Sequence, residues 1–222
     1  MASLSDRTPE PEDPSAGDAS PDRARLLISA AYDLLESEGL EGLTIRAVLK
    51  RTGLARRAFY ERFAGKDDLV LAVFEQTLQE AARYFRQQAE ALDDPEEEVR
   101  LIVGGIAMRA PAIDKFEDGD VIDKRSAALS REHLRLAESR PAELQAALSP
   151  LLDLIGETVA RGIDRGQFRP CDPALQAALI YNLVSTTVHT ELLAEEGTPS
   201  DNKRRKKLAE EIWEFCRRAI VA

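Results

Sequence analysis

The chain has 222 residues, a formal net charge of -10 and an apolar content of 44%. That apolar share is enough for a buried core, which excludes a chain that is disordered throughout. No apolar run approaches the roughly 18 residues of a membrane span, and the N-terminus lacks the apolar segment of a secretory signal, so we expect a cytoplasmic protein without membrane contact. The two cysteines, Cys171 and Cys216, form no CxxC pattern, so we expect neither a disulfide scaffold nor a zinc module, and no metal or cofactor.

The charge is unevenly distributed along the chain. Residues 1–22 hold six acidic residues and one basic residue, whereas residues 23–66 hold nine basic and five acidic ones. Residues 67–222 are acidic again, with 29 acidic and 20 basic residues. A short basic segment beside an acidic body is typical of a small nucleic-acid-binding head, although solvated helical faces show similar local excesses.

The first part of the chain predicts an unstructured tail followed by short helices. Residues 1–19 are rich in Pro, Asp, Glu, Ser and Ala and hold a single Leu, so they lack the apolar surface that would offset ordering entropy. Ser20-Pro21-Asp22 favours a helix start, and Gly39 is expected to end that first helix in a left-handed conformation. Thr44 is placed to cap a second short helix, which Gly53 breaks.

The remainder of the chain predicts further helices. A third short helix is expected at about 55–63, and apolar residues at helical spacing predict a fourth helix over 66–92, roughly 40 Å long. No alternating strand pattern or hairpin signal occurs, so the predicted fold class is all-α. The later helices are expected near 96–110, 120–138, 141–165, 173–194 and 202–220.

Short helices with a glycine in the tight turn between the second and third predict a helix-turn-helix head, whose third helix enters the DNA major groove. On that helix, Phe59 and Phe63 lie four residues apart and are expected to face the core of the head. The chain would then divide into a tail, a head and a helical body at 1–19, 20–66 and 67–222. The candidates for contact with phosphates and base edges of double-stranded DNA are Thr44, Arg46, Ala55, Arg56, Arg57, Tyr60 and Lys66.

A set of residues between Arg25 and Leu71 occurs in an order and spacing that are specific when found together. The set consists of Ala30-Ala31, Leu34, Gly39, Thr44-Ile45, Gly53-Leu54, Phe59-Tyr60, Phe63, Lys66 and Asp68-Leu69. Over this stretch the chain resembles the DNA-binding head of the TetR/AcrR family of bacterial transcriptional regulators, and the resemblance extends loosely to residues 161–184. Ala55 stands where the family usually has Ser or Thr as the cap of the recognition helix.

The resemblance implies a homodimer whose two heads bind adjacent major grooves of a pseudo-palindromic operator, roughly 34–36 Å apart. It also implies a C-terminal domain that holds a small-molecule pocket and the dimer interface. Members of the family mostly repress transcription. Ligand binding moves the equivalent of the fourth helix, pivots the heads apart and releases the operator, and residues 66–92 would supply that helix.

Candidates for the two functions of the body lie on the middle and last helices. Gly104-Gly105, inside an apolar helix, leaves room either for a ligand or for close helix packing. With an aromatic content of only 5%, the pocket is expected to be mainly aliphatic and to accept a hydrophobic effector. The candidate lining residues are Ile102, Ile106, Met108, Phe116, His133, Phe168, Tyr181 and Thr187. The candidate dimer residues, which could equally fill the subunit core, are Leu175, Leu179, Leu183, Ile212, Phe215 and Ile220.

Two alternative functions remain open. Asp93-Asp94-Pro95-Glu96-Glu97-Glu98 superficially resembles the acidic magnesium cluster of some all-α enzymes, but no second acidic cluster accompanies it, and a solvated helix boundary explains it better. A redox-sensing regulator would use Cys171, whose neighbours Pro170 and Asp172 predict an exposed loop. The basic run at 203–207 fits a solvated helix start better than a polybasic targeting or nucleic-acid signal, and it could also attract the acidic tail.

Overall fold

A computed structural model describes residues 19–108, 124–194 and 201–222, so residues 1–18 of the predicted tail lie outside it. Within these ranges the all-α prediction is confirmed. The β-structure described there is one isolated antiparallel bridge between Phe168 and Val221. The described helices are α1 (Ala19–Gly42), α2 (Ile45–Thr52), α3 (Arg56–Tyr60), α4 (Lys66–Ala89), α5 (Pro95–Met108), α6 (Lys124–Ser139), α7 (Pro141–Asp164), α8 (Pro173–Ala194) and α9 (Asn202–Ile220). None of them is long and apolar enough to cross a bilayer.

The head has its own apolar core, formed by α1, α2, α3 and the first turns of α4. Phe59 is fully buried and Phe63 is 8% exposed, so both face this core as predicted. Val48 of α2 is also fully buried. The remaining members of the core are Leu27, Ala30, Ala31, Leu34, Leu35, Leu43, Leu69, Val70, Val73 and Ala128.

The helices of the head begin and end at the predicted capping and turn residues, except at Gly39. The hydroxyl of Thr44 accepts the N–H of Ala47 at 3.1 Å and so caps α2. Gly53 ends α2 in the left-handed conformation, with φ 70° and ψ 6°. Gly39 has a positive φ of 72°, but its ψ of -166° lies outside the left-handed helical region, and the helix resumes for one more turn.

The body packs most of α4 and the helices from α5 to α9 around a second apolar core. A β-carbon at Gly105 would lie 2.2 Å from the ring of Phe85, so this glycine permits close packing of α4 and α5. Helix α6 packs against α1 as well as against α7 and α8, and its Ala128 is part of the core of the head. Helix α6 therefore connects the body to the head.

The acidic run at 93–98 contains one buried carboxylate, Glu98 of α5. Glu98 is 7% exposed, forms an ion pair with Arg161 and accepts the hydroxyl of Thr158 at 3.2 Å. Arg165 pairs with Asp93 at 3.2 Å. The prediction of a solvated boundary is therefore wrong for Glu98, whose burial is compensated by a charged partner. Among the described residues, no group of three or more side chains could hold a metal ion.

Candidate nucleic-acid interface and ligand sites

Helix α3 presents a polar face to solvent. Arg56, Arg57 and Tyr60 are exposed, Tyr60 to 47%, whereas Phe59 on the same helix is fully buried and stacks edgewise on Tyr60 at 5.3 Å between ring centres. Nη2 of Arg56 donates to the hydroxyl of Tyr60 at 3.3 Å, and Nε of Arg57 donates to Glu61 at 2.8 Å. Buried Phe59 thus fixes a short helix whose outer side chains can donate to phosphates and base edges.

The other predicted DNA-binding residues flank this helix. Thr44 and Arg46 are exposed at the start of α2, while Ala55 precedes α3 and makes no side-chain cap, as expected for alanine. Lys66 is half-buried, and its Nζ donates to the carbonyl of Leu40 at 3.0 Å. In this structure Lys66 therefore joins the start of α4 to the end of α1, and a phosphate would have to compete with that carbonyl.

Two ion pairs join the first turn of α4, at the boundary between head and body, to α6 and to the start of α7. One carboxylate oxygen of Asp68 accepts the N–H of Ala64 at 2.9 Å, and the other accepts from Arg140 at 2.6 Å. Asp67 pairs with Arg135 at 3.1 Å. The bonds from Arg140 and from the Ala64 amide hold the pKa of Asp68 below its ordinary value, because both favour the ionised form. Since Ala64 follows α3 and Arg140 precedes α7, a single carboxylate connects the segment after α3 to the start of α7.

The predicted lining residues of the ligand pocket do not form one site. Ile102 and Phe168 are 1% and 2% exposed inside the apolar core, and Ile106 packs beside that core. The hydroxyl of Thr187 donates to a backbone carbonyl one turn earlier at 2.7 Å, so its hydrogen bond is already made. Phe116 lies outside the described residues. Met108 lines a cavity between α4, α5 and α9.

Two of the predicted lining residues, His133 and Tyr181, do come together in a buried polar cluster between α4, α6 and α8. The ring centre of His133 lies 4.8 Å from that of His189 and 6.2 Å from that of Tyr181, and Phe74 covers it at 5.7 Å. The Nδ1 atoms of His133 and His189 are buried and have no hydrogen-bond partner. Buried polar atoms without a partner are uncommon and costly, so these two nitrogens are unsatisfied hydrogen-bonding groups inside the core.

Because of the His133–His189 pair, we expect the free energy of unfolding to fall at mildly acidic pH. Burial, and then the neighbouring His133, lower the pKa of His189 to about 4. Below pH 6.5 the unfolded chain takes up a proton at this histidine while the folded protein does not, so the free energy of unfolding decreases until the pH approaches 4. For His189 alone we expect a loss of about 2 to 3 kcal/mol between pH 7 and pH 4.5, measured by urea unfolding.

The matched variant is His189→Phe, which keeps a ring beside His133 and removes the titrating group. It should lose less stability than the unmodified protein over the same pH interval, while the acid-dependent loss from carboxylates such as Asp68 is common to both. An identical pH dependence in the two proteins would contradict the depressed pKa of His189.

The predicted dimer residues divide into two groups. Three are large apolar side chains with exposures of 58%, 54% and 65%, namely Leu175, Leu179 and Phe215. Leu183 is half-buried. Ile212 and Ile220 are only 6% and 2% exposed because they fill the core of their own subunit, so we remove them from the candidate interface.

The cysteines and the basic run have ordinary surroundings. Cys171 is exposed, and Cys216 is buried, which raises the pKa of its thiol to about 11; both are free. The redox alternative therefore depends on Cys171 alone. At the start of α9, the N–H of Arg204 donates to Asp201 at 2.9 Å, and Lys207 lies 3.6 Å from Glu211, so the basic run begins a capped helix.

Known proteins are similar to this chain over both its head and its body. Residues 27–73 match the model of the bacterial regulatory proteins of the tetR family. The chain is 27% identical over 198 residues to the HTH-type transcriptional regulator BetI 1 of Chromohalobacter salexigens, and the alignment covers 76% of this chain and 94% of that regulator. A TetR-family transcriptional regulator from Pectobacterium atrosepticum has a TM-score of 0.72 and 15% identity, covering 93% of this chain and 98% of its own. FadR of Bacillus subtilis, solved in complex with stearoyl-CoA, has a TM-score of 0.58 and 15% identity, covering 86% and 96%.

Proposed function

Because this chain belongs to the TetR family of bacterial transcriptional regulators, we propose that it is a homodimeric repressor that leaves a pseudo-palindromic operator when a small hydrophobic molecule binds its body. The observation that carries the proposal is the outer face of α3, where Arg56, Arg57 and Tyr60 are exposed above buried Phe59. In a helix-turn-helix this helix lies in the major groove. The head would comprise residues 20–66 and the body 67–222. The family consists of regulators, which decides against the enzyme alternative.

The exposed apolar residues of α8 and α9 support the homodimer. Leu175, Leu179 and Phe215 are each more than half exposed, although side chains of this size gain free energy by burial. Helices α8 and α9 contact each other, so one surface can include residues of both. A single small head also makes too few contacts for specific operator binding, and a second head doubles them.

The route from ligand to operator follows the contacts between body and head. FadR of Bacillus subtilis binds a molecule with a long apolar chain, which supports a hydrophobic effector for a body of the same fold. A shift of the corner between α6 and α7 would act on α3 through Arg140, Asp68 and Ala64. A coupling free energy of about 3 kcal/mol would lower operator affinity roughly 150-fold.

The proposal is tested by binding the purified full-length protein to a randomised DNA pool and sequencing the retained fragments. We expect an enriched inverted repeat whose half-sites lie about 10 base pairs apart, or a multiple of one helical turn, because a two-fold dimer presents two α3 helices. The matched control is the Arg57→Ala variant in the same selection, which should enrich the repeat less. Absence of an enriched repeat with folded, dimeric protein would contradict the repressor proposal.

A further inference from the structure

A cavity of about 540 Å³ opens between α4, α5 and α9, separate from the histidine cluster described above. Its inner wall is aromatic and apolar, with Phe85 at 1% and Trp213 at 6% exposure, and Tyr84 and Met108 beside them. The volume lies within the roughly 300–1,000 Å³ that small-molecule sites occupy. The inner wall therefore suits the apolar part of a molecule of moderate size.

The two adjacent glycines of α5 have different roles at this cavity. Gly105 lets the ring of Phe85 approach the helix closely, as described above. A β-carbon added at Gly104 would meet no atom within 4 Å, although Gly104 also lines the cavity. Close packing therefore explains Gly105. It does not explain Gly104, where the absence of a side chain leaves open volume inside the cavity.

The rim of the cavity carries charged side chains from α5 and α9. Arg100 reaches across to Glu210 at 3.2 Å and lies 3.9 Å from Glu97. Lys206 also lines the cavity, and it has no ion pair among the described residues. A ligand with an anionic end can therefore pair with Lys206 directly and share Arg100 with its two carboxylates, whereas a cationic end would have to displace Arg100 from them.

We propose that this cavity binds an amphipathic anion, with its apolar body on Phe85 and Trp213 and its anionic group beside Lys206 and Arg100. The inference deepens the proposed function, because it identifies a place in the body and a chemical class for an effector. Binding closes the open volume at Gly104 and supplies a counterion to Lys206.

Trp213 is the only tryptophan of the chain, so its fluorescence reports directly on the inner wall of the cavity. The full-length protein is titrated with dodecanoate, dodecanol and dodecyltrimethylammonium, each below the concentration at which it forms micelles. We expect a saturable change in emission with dodecanoate and at least tenfold weaker binding of the cation. A cation that binds as tightly as dodecanoate, or no saturable change with dodecanoate, would overturn the proposal.

Two variants test the site itself. Gly104→Leu fills the open volume and improves the helix propensity of α5, so we expect at least tenfold weaker binding with no loss of thermal stability. Lys206→Ala should weaken dodecanoate binding several-fold and leave dodecanol unaffected. Its matched control is Lys207→Ala, because Lys207 is the neighbouring residue and pairs with Glu211 instead of lining the cavity. Equal effects of the two lysine variants would overturn the assignment of the anionic end.

Measuring operator binding beside ligand binding distinguishes a failure of this inference from a failure of the proposed function. Saturable dodecanoate binding that leaves affinity for the selected repeat unchanged would support the cavity and contradict regulation through it. A protein that selects a repeat but shows no binding at Trp213 would overturn the cavity and leave the repressor proposal standing. Dodecanoate binding by a protein that selects no repeat would support the cavity and contradict the repressor.

Discussion

Replacing Arg57 with alanine should lower affinity for the selected operator by at least about 30-fold, because each lost contact costs about 1–3 kcal/mol and a homodimer loses it twice. Tyr60 is 47% exposed, and Tyr60→Phe removes its hydroxyl, which accepts from Arg56 at 3.3 Å. It should weaken binding in the same direction by a smaller factor. Both effects are measured by fluorescence anisotropy on a labelled inverted repeat.

The control for these variants is Arg83→Ala. Arg83 is an exposed arginine on α4, outside the head, so its removal changes the net charge equally without touching α3. The salt dependence adds a second readout: if Arg57 contacts phosphate, the slope of log affinity against log salt should become shallower by about two units in the dimer. Unaltered affinity in both Arg57→Ala and Tyr60→Phe would remove the assignment of α3 as the recognition helix.

Local signals predicted much of the fold because they act within one or two helical turns. The predicted ranges 173–194 and 202–220 coincide with α8 and α9, since Pro173 begins one helix and Asp201 caps the other. Helix α4 ends at Ala89 instead of Leu92. Helix α3 is shorter than the predicted 55–63 because the N–H of Arg62 bonds to Phe59, which tightens the end of the helix into a turn.

Contacts between helices far apart in the chain could not be predicted in the same way. Asp68 and Arg140 are 72 residues apart, and Glu98 and Arg161 are 63 apart, so no periodicity relates them. Charged residues at helix ends are read from sequence as solvated, and only the packing of α7 against α4 and α5 brings these partners together. The same limit applies to the dimer residues, because apolar spacing gave no way to separate exposed Phe215 from buried Ile212.

Changing Leu179 and Phe215 together to glutamate should convert the protein to a monomer and lower operator affinity by at least about 100-fold. Both side chains are more than half exposed in the subunit, so each substitution should cost the isolated subunit less than about 0.5 kcal/mol. In a dimer they would place charges in an apolar interface, where unpaired charges are costly. Light scattering coupled to size-exclusion chromatography measures the mass, and anisotropy measures the affinity.

Leu134→Glu is the matched control, because Leu134 is a 49% exposed leucine on α6, outside the two helices that carry Leu179 and Phe215. It should leave both the mass and the operator affinity unchanged. The loss in the double variant arises from tethering: once one head is bound, the second acts at an effective concentration near millimolar, and a monomer forgoes this gain. A double variant that remains dimeric would place the interface elsewhere, whereas a monomer with full operator affinity would show that one head suffices for recognition.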